Sequence, residues 1–240
     1  MSTDAPALSI QTALSQAQIP LLKYSDTAAQ DAQVLLAHIC AQTRTWVITH
    51  PEYRLSLREE TSFEDGLADL ENNVPLPYIL GEWEFYGLKF KLTPDVLIPR
   101  PETELLVETT LAWLKEHPSA KKMADIGTGS GCIPVSLAKY HAILTITAID
   151  ISAEALKVAE TNAQLNEVNR QISFTKHDLL SGIEEQFDII TANLPYIPTE
   201  TLQQLDVYGR EPTLALDGGD DGLDLIKRLL TQAPACLSPG

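Results

Sequence analysis

A glycine-rich loop is the first segment of the sequence whose residue types could do chemistry. It lies between a short apolar run and a predicted helix, and it reads Asp125-Ile126-Gly127-Thr128-Gly129-Ser130-Gly131. Glycines let a backbone turn sharply and approach a ligand closely. Asp150 ends the next predicted strand about 20 residues further on, where a carboxylate can accept hydrogen bonds from ribose hydroxyls. The pattern predicts a site for a ligand that contains a nucleoside.

Two other interpretations of this loop stay open at the level of the residues. A tight structural turn followed by the start of a helix would use the same glycines. A dinucleotide oxidoreductase would carry a third glycine at the position of Cys132, so this cysteine counts against that class.

A second motif, Asn193-Leu194-Pro195-Tyr196, directly follows the fourth predicted strand. Ligands of open α/β sheets bind at this end of the strands. Pro195 fixes its own φ and pushes Leu194 into an extended conformation. The Leu194 carbonyl and the Asn193 side-chain oxygen could then hold both hydrogens of a planar NH2 group, while Tyr196 packs over its plane. The turn predicts an acceptor with an amino group, and a purely structural turn is the alternative.

A further acid, Asp178, ends the third predicted strand and is followed by Leu179. Its neighbours fit a helix-capping aspartate or a solvated turn, and a role in ligand binding is implied only by the family resemblance given below.

The elements that must position these residues change character along the chain. Before about residue 80, apolar residues at helical spacing predict helices over 5–18, 25–42 and 56–72, the second with Ser25 or Asp26 as its N-cap. Alternation around Gly87 predicts a β-hairpin over 82–92. A helix is predicted from Glu102 to about His117, and it is expected to bury Leu105, Leu106, Leu111, Trp113 and Leu114.

Strand and helix patterns alternate in the rest of the chain. Strands are predicted over 123–126, 144–149, 172–175 and 187–192, and helices over 132–140, 153–165 and 223–233. This rhythm predicts an α/β fold with a doubly wound parallel sheet.

Composition excludes several classes of function. The 240 residues carry a formal charge of −16, which argues against a duplex-DNA binder because phosphates need a Lys/Arg surface. The N-terminus has neither the basic start nor the apolar run of a secretory signal, and no apolar stretch could cross a bilayer. Three well-separated cysteines fit reduced thiols in the cytoplasm, and the five histidines show no metal-ligand spacing.

Several motifs together resemble known families. The glycine loop resembles motif I of class I methyltransferases, which bind S-adenosylmethionine. The second motif is similar to the N-P-P-Y motif of amino methyltransferases, with Leu194 in place of the first proline. Further segments are similar to those of the release factor glutamine N5-methyltransferases, the PrmC or HemK family. They are PLPYILG at 75–81, FYG at 85–87, PDVLIPRPETE at 94–104, EP at 211–212 and DGGDDG at 217–222.

This resemblance implies a fold, a reaction and an organisation of the chain. The fold is the class I methyltransferase Rossmann-like sheet. The reaction methylates, with S-adenosylmethionine, the side-chain amide of the glutamine in the Gly-Gly-Gln motif of peptide chain release factors. A helical domain at 1–80 would bind the release factor, a hairpin at 81–98 would link it, and the methyltransferase domain would occupy 99–240. Such a domain normally has more strands after a Ser-Pro-Gly turn, so we expect this chain to lack the last strands of its sheet.

The resemblance also implies roles for individual residues. Asp125 and the loop residues Gly127, Thr128, Gly129, Ser130 and Gly131 would hold the methionine part of the cofactor. Asp150 would hold the ribose, and Asp178 and Leu179 would flank the adenine. Asn193, Leu194, Pro195 and Tyr196 would hold the glutamine, with Asn193 also close to the cofactor. No metal is expected.

Two alternative functions are carried forward. A DNA or RNA amino methyltransferase could use the same turn on a flipped base, although the acidic charge counts against it. A non-catalytic nucleotide-binding fragment is the other alternative, and the intact Asn193, Pro195 and Tyr196 count against that. We expect a cytoplasmic monomer that binds neither nucleic acid nor membrane directly.

Overall fold

The computed structural model describes residues 7–23 and 27–239, and the chain divides into two compact units at residues 80 and 81. In the first unit, the described residues form short helices around an apolar core. These helices are α1 (Ile10–Leu21), α2 (Ala28–Ile39), α3 (Arg44–Thr49), α4 (Leu57–Glu71) and α5 (Leu76–Leu80). The helices predicted over 5–18, 25–42 and 56–72 are confirmed with shifted ends. The predicted N-caps Ser25 and Asp26 lie outside the described residues.

Local capping explains where these helices begin. Ser9 accepts a hydrogen bond from the Thr12 backbone N–H at the start of α1. Ser56 and Glu59 form a reciprocal capping box at the start of α4. The apolar faces then pack together, with Leu35, Leu36 and Phe63 at their centre.

The second unit opens with the predicted hairpin, formed by β1 (Glu82–Phe85) and β2 (Leu88–Lys91) in antiparallel pairing. Tyr86 and Gly87 make its two-residue turn, both with positive φ as such turns require. Phe85 and Phe90 are buried, whereas Lys89 is exposed, so the alternation in the sequence places the apolar face inward.

A four-stranded parallel sheet forms the centre of this unit. Its strands are β3 (Lys122–Ile126), β4 (Thr145–Asp150), β5 (Ile172–Lys176) and β6 (Ile189–Ala192), in the order β5-β4-β3-β6. The helices are α6 (Pro101–Glu116), α7 (Cys132–Tyr140), α8 (Ala153–Leu165), α9 (Thr199–Leu202) and α10 (Asp224–Cys236), with a short 3-10 turn at Thr213–Ala215. Met123 and Ala124 belong to different apolar clusters, as expected when both faces of a sheet are covered. The doubly wound fold is thus confirmed.

Two of the differences from the sequence-based expectations concern α6 and the fourth strand. Leu105 was expected to be buried on α6, but its side chain is 65% exposed. The buried stripe of α6 consists of Thr103, Val107, Thr110 and Leu114, and this helical spacing turns Leu105 toward solvent. The fourth strand begins at Ile189 rather than 187, because Phe187 instead forms a bridge with Leu237.

Candidate functional site

The candidate site is a cavity of about 570 Å³ at the carboxyl ends of the parallel strands. The turn after each strand contributes to its wall, and the segment before α6 closes another side. Of the predicted site residues, the cavity is lined by Gly127, Thr128, Gly129, Ser130, Asp150, Asp178, Leu179, Asn193, Leu194 and Pro195. Asp125, Gly131 and Tyr196 are not among its lining residues. The structure therefore brings most of the predicted residues together at one edge of the sheet.

The glycine loop has a backbone that other residues would strain. Gly127, Gly129 and Gly131 have φ values of 70°, 53° and 77°, in the left-handed region. A β-carbon built on Gly131 would lie 3.0 Å from Cβ of Ala159, so this glycine lets α8 approach the loop. A β-carbon built on Gly129 would meet no atom within 4 Å, so the middle of the loop adjoins open space. The loop therefore offers bare backbone to a ligand.

Asp150 supports this loop from the end of β4. Its Oδ2 accepts a hydrogen bond from the Gly129 backbone N–H at 2.8 Å, and its Oδ1 accepts one from the Ser152 N–H at 2.9 Å. The residue is 9% exposed. A carboxylate has about four acceptor positions, so two such bonds leave capacity for the hydroxyls of a ligand.

Asp125 lies beneath the loop and is fully buried. One of its carboxylate oxygens accepts a hydrogen bond from Thr191 Oγ1 at 2.7 Å, which joins the ends of the neighbouring strands β3 and β6. Burial raises the pKa of the Asp125 carboxyl to about 7, since the interior disfavours the charged form. Asp125 thus links two of the strands that carry the site and does not itself line the cavity.

Asp178 follows β5 and is held by a cation. Its Oδ2 accepts a hydrogen bond from Arg228 Nη2 of α10 at 2.6 Å, and both side chains are close to half exposed. The next residue, Leu179, is buried and has a φ of 52°. Arg228 also lines the cavity, although it lies outside the motifs singled out in the sequence.

The Asn-Leu-Pro-Tyr turn presents a fixed amide to the cavity. Asn193 Nδ2 donates a hydrogen bond to Thr103 Oγ1 at 3.1 Å, so the amide oxygen points away from Thr103. Leu194 is 7% exposed, whereas Tyr196 is 65% exposed. Tyr196 is therefore free of the core and stands at the surface beside the cavity wall formed by Pro195.

The residues of the run IPRPETE, at 98–104, make hydrogen bonds to distant segments of the chain. Arg100 Nη2 donates to Glu211 Oε1 at 2.6 Å, and the Ile98 N–H donates to the other oxygen of Glu211 at 3.1 Å. Glu104 accepts a hydrogen bond from the Tyr86 N–H in the hairpin turn at 2.8 Å. Polar residues of this run therefore hold distant segments around the start of α6. Glu102, in contrast, is exposed.

The segment DGGDDG at 217–222 packs against the residues that follow the Asn-Leu-Pro-Tyr turn. Ile197 and Asp217 form a parallel bridge, and Thr199 Oγ1 donates to Asp217 Oδ1 at 2.6 Å. The hydrogen bond from Thr199, followed by one from the Gly219 N–H, lowers the pKa of the Asp217 carboxyl. A β-carbon at Gly222 would collide with the Tyr196 carbonyl oxygen, so only glycine fits there.

Three residues in contact with the cavity or with its lining were not singled out from the sequence: Thr103, Glu211 and Arg228. Thr103 and Glu211 fall inside the quoted motifs, but no spacing rule links either residue to the partner it holds. Among the described residues, no group of three or more His, Cys, Asp or Glu could hold a metal ion. No described helix is long and apolar enough to cross a membrane. The chemistry available at the site is hydrogen bonding and carboxylate charge on a largely apolar wall.

Comparison with known proteins adds family matches to this geometry. The PrmC N-terminal domain matches residues 12–81, and the Methyltransferase small domain matches residues 101–207. The release factor glutamine methyltransferase of Koribacter versatilis is 40% identical, over 91% of this chain and 79% of that protein. The protein of the same name from Geobacter sulfurreducens is 43% identical, over 90% of this chain and 75% of that protein.

A solved structure supports the fold. The hMettl16 catalytic domain, in complex with a MAT2A 3'UTR hairpin, superposes with a TM-score of 0.50 at 16% identity. The match covers 75% of this chain and 64% of that one. At this identity the likeness concerns the architecture alone.

Proposed function

Because the chain belongs to the release factor glutamine methyltransferase family, we propose that it methylates the glutamine of the Gly-Gly-Gln motif in peptide chain release factors. The methyl group would come from S-adenosylmethionine and would be bonded to the side-chain amide nitrogen, N5. The observation that carries this proposal is the common cavity of the glycine loop and the Asn193 turn.

The cavity fits the proposed cofactor in shape and charge. Bare backbone at Gly127 and Gly129 can approach the methionine part, and the acceptors left on Asp150 suit ribose hydroxyls. Asp178 and Leu179 would flank the adenine. S-adenosylmethionine, when bound, supplies an electrophilic methyl on a cationic sulfur. The carboxylate of Asp150 complements that positive charge, whereas the charge of Asp178 is already paired with Arg228.

The Asn193 turn would hold the other reactant. Asn193 Oδ1 and the Leu194 carbonyl would each accept one hydrogen of the glutamine NH2 group. A carboxamide nitrogen is a weak nucleophile because its lone pair is delocalised. Gripping both hydrogens orients that lone pair and stabilises the positive charge that develops on nitrogen. The proton would pass to water after transfer, so the turn needs no strong base.

The other parts of the chain receive roles from the same proposal. The helical region 1–80 would hold the body of the release factor, the hairpin region 81–98 would link it, and region 99–240 would carry the reaction. A release factor is a protein of translation, so the protein would work in the cytoplasm, and we propose that it does so as a monomer.

Transfer of labelled methyl tests the function. The protein is incubated with labelled S-adenosylmethionine and either a release factor, the same factor with its Gly-Gly-Gln glutamine changed to alanine, or a DNA duplex. We expect label only on the unaltered factor, on the peptide that contains the motif. Label on DNA alone would overturn the proposal in favour of a base methyltransferase, and cofactor binding without any label would favour a non-catalytic fragment.

Substitution of Asn193 in the turn gives a second test of the proposed function. Asn193→Ala removes the amide acceptor, so we expect turnover to fall by roughly 100-fold or more while cofactor affinity changes little. Asn169→Ala, at an exposed asparagine in the turn after α8, serves as a control substitution of the same chemistry, away from the Asn193 turn. Wild-type turnover in the Asn193 variant would contradict the role given to the turn.

A further inference from the structure

The start of α6 holds a buried hydroxyl against the proposed catalytic amide. Thr103 is 8% exposed, lines the cavity and accepts the hydrogen bond from Asn193 Nδ2 at 3.1 Å. The two residues are 90 positions apart in the sequence. The contact therefore involves Asn193, the side chain that would accept a hydrogen bond from the glutamine NH2 group in the proposed reaction.

The amide of Asn193 has two chemically opposite ends. Its oxygen accepts hydrogen bonds, whereas its NH2 group only donates them. Rotation of the amide by half a turn would present the NH2 group to the NH2 group of the acceptor, and two donors repel. A threonine hydroxyl can donate as well as accept, so Thr103 does not choose the orientation by itself. It anchors the Nδ2 end of the amide in the orientation that the structure has, which leaves Oδ1 for the acceptor.

Thr103 is itself held rigidly enough for this task. Its backbone N–H donates to the Arg100 carbonyl at 3.0 Å in the first turn of α6. The bond between Arg100 and Glu211 holds that turn on one side, and the bond from the Tyr86 N–H to Glu104 holds it on the other. A β-branched side chain also has few χ1 rotamers in a helix.

We propose that Thr103 is a positioning residue for methyl transfer, which anchors the Asn193 amide by its nitrogen and so holds the side-chain oxygen in place for the NH2 group of the acceptor. The inference rests on the proposed function, because it assigns Thr103 a part in the reaction proposed for Asn193. It goes further in naming a hydroxyl, outside the glycine loop and the Asn-Leu-Pro-Tyr turn, that supports the acceptor end of the site.

Two substitutions at one position separate the hydroxyl from the shape of the side chain. Thr103→Val keeps the volume and branching but removes the acceptor, and Thr103→Ser keeps the hydroxyl. We expect Thr103→Val to lower kcat by roughly 10- to 100-fold, as misorientation of one reacting group does, with an unchanged Kd for S-adenosylmethionine. Thr103→Ser should restore most of the kcat. Thr110→Val is the matched control, a buried threonine two turns later on the same helix, and it should keep the wild-type kcat.

A spectroscopic measurement follows the hydrogen bond independently of activity. The side-chain NH2 signals of Asn193 are identified in ¹⁵N-labelled protein by their absence from Asn193→Ala. Thr103→Val should shift these signals and speed their exchange with water, whereas Thr110→Val should leave them in place. Unchanged signals, a wild-type kcat for Thr103→Val, or equal losses in both valine variants would each overturn the role of Thr103. A wild-type protein that labels no glutamine would instead overturn the proposed function on which this role rests.

Discussion

A β-carbon built on Gly127 would lie 3.1 Å from Cδ2 of Leu194. The glycine belongs to the loop after β3 and the leucine to the turn after β6, and these strands are neighbours in the sheet. Direct packing between them links the proposed cofactor end of the cavity to the proposed acceptor end. The side chain of Leu194, which stands where the resembling motif has a proline, is buried against the loop.

Gly127→Ala should damage both ends of the cavity. The φ of 70° strains any other residue by about 1–2 kcal/mol, and the new methyl group would push on Leu194. We expect a lower free energy of unfolding in urea and weaker cofactor binding by calorimetry. Gly129→Ala is the control, because its φ of 53° brings similar strain but its β-carbon meets no atom within 4 Å. Equal loss of stability in the two variants would show that contact with Leu194 is unimportant.

Leu194→Ala should couple to the glycine substitution. Truncating a side chain that is 7% exposed is expected to cost about 2–4 kcal/mol of stability, because it leaves a cavity. The same truncation removes the Cδ2 atom that the alanine at position 127 would press against. Gly127→Ala should therefore cost less in the Leu194→Ala background than in the wild type, by about 0.5 kcal/mol or more in urea unfolding. Strictly additive effects would be evidence against direct packing.

The sequence predicted the composition of the cavity better than its fine geometry. Parallel strands bring their carboxyl ends to one edge, so the motifs after β3, β4 and β6 had to meet once the strands were recognised. The contact between Thr103 and Asn193 depends on how α6 is rotated about its axis. The spacing of apolar residues alone predicted the wrong rotation, because two of the four buried positions of α6 are threonines, Thr103 and Thr110.

Charged contacts were harder still to foresee. Glu211 binds the Ile98 N–H and the Arg100 guanidinium, which lie more than a hundred residues earlier in the chain. Glu102 is nearer to Arg100 in the sequence and would make a plausible local ion pair, yet it is exposed. Local spacing carries no information about which carboxylate a loop brings back to the first turn of a helix.

Arg100→Ala should destabilise the protein more than the loss of an ordinary surface charge. The Glu211 side chain is only 5% exposed, so removal of Arg100 leaves a buried carboxylate with the Ile98 N–H as its remaining donor. Because Arg100 itself is 39% exposed, we expect a loss of about 1–3 kcal/mol in urea unfolding.

A well-exposed ion pair provides the comparison. Lys157 and Glu154 are 73% and 57% exposed and lie 3.4 Å apart on α8, so Lys157→Ala should leave stability unchanged within error. Glu211→Gln should cost less than Arg100→Ala, because it removes the buried charge along with the ion pair. The reverse order of these two variants would refute the account of Glu211 as a buried carboxylate that needs its cation.

Asp125 should make stability depend on pH. Burial raises its pKa from 3.8 to about 7, so between these values the folded protein binds a proton that the unfolded chain does not. The free energy of unfolding must then fall as pH rises through this window, by at most about 1.4 kcal/mol per pH unit, and level off above it. Asp125→Asn stays neutral, so this variant should lack that contribution.

The difference in the free energy of unfolding between wild type and Asp125→Asn reports the contribution of the Asp125 carboxyl alone. Other acids, such as Asp188, have pKa values lowered by backbone hydrogen bonds from Lys122 and Lys121, and these acids stabilise the fold as pH rises through the acid range. Since they are common to both proteins, they cancel when urea unfolding of wild type and Asp125→Asn is compared at each pH from 5 to about 7.5. The stability of wild type minus that of the variant should decrease with pH. A constant or rising difference would mean that Asp125 is ionised in the folded protein throughout this range, and that Thr191 stabilises a buried charge rather than a neutral acid.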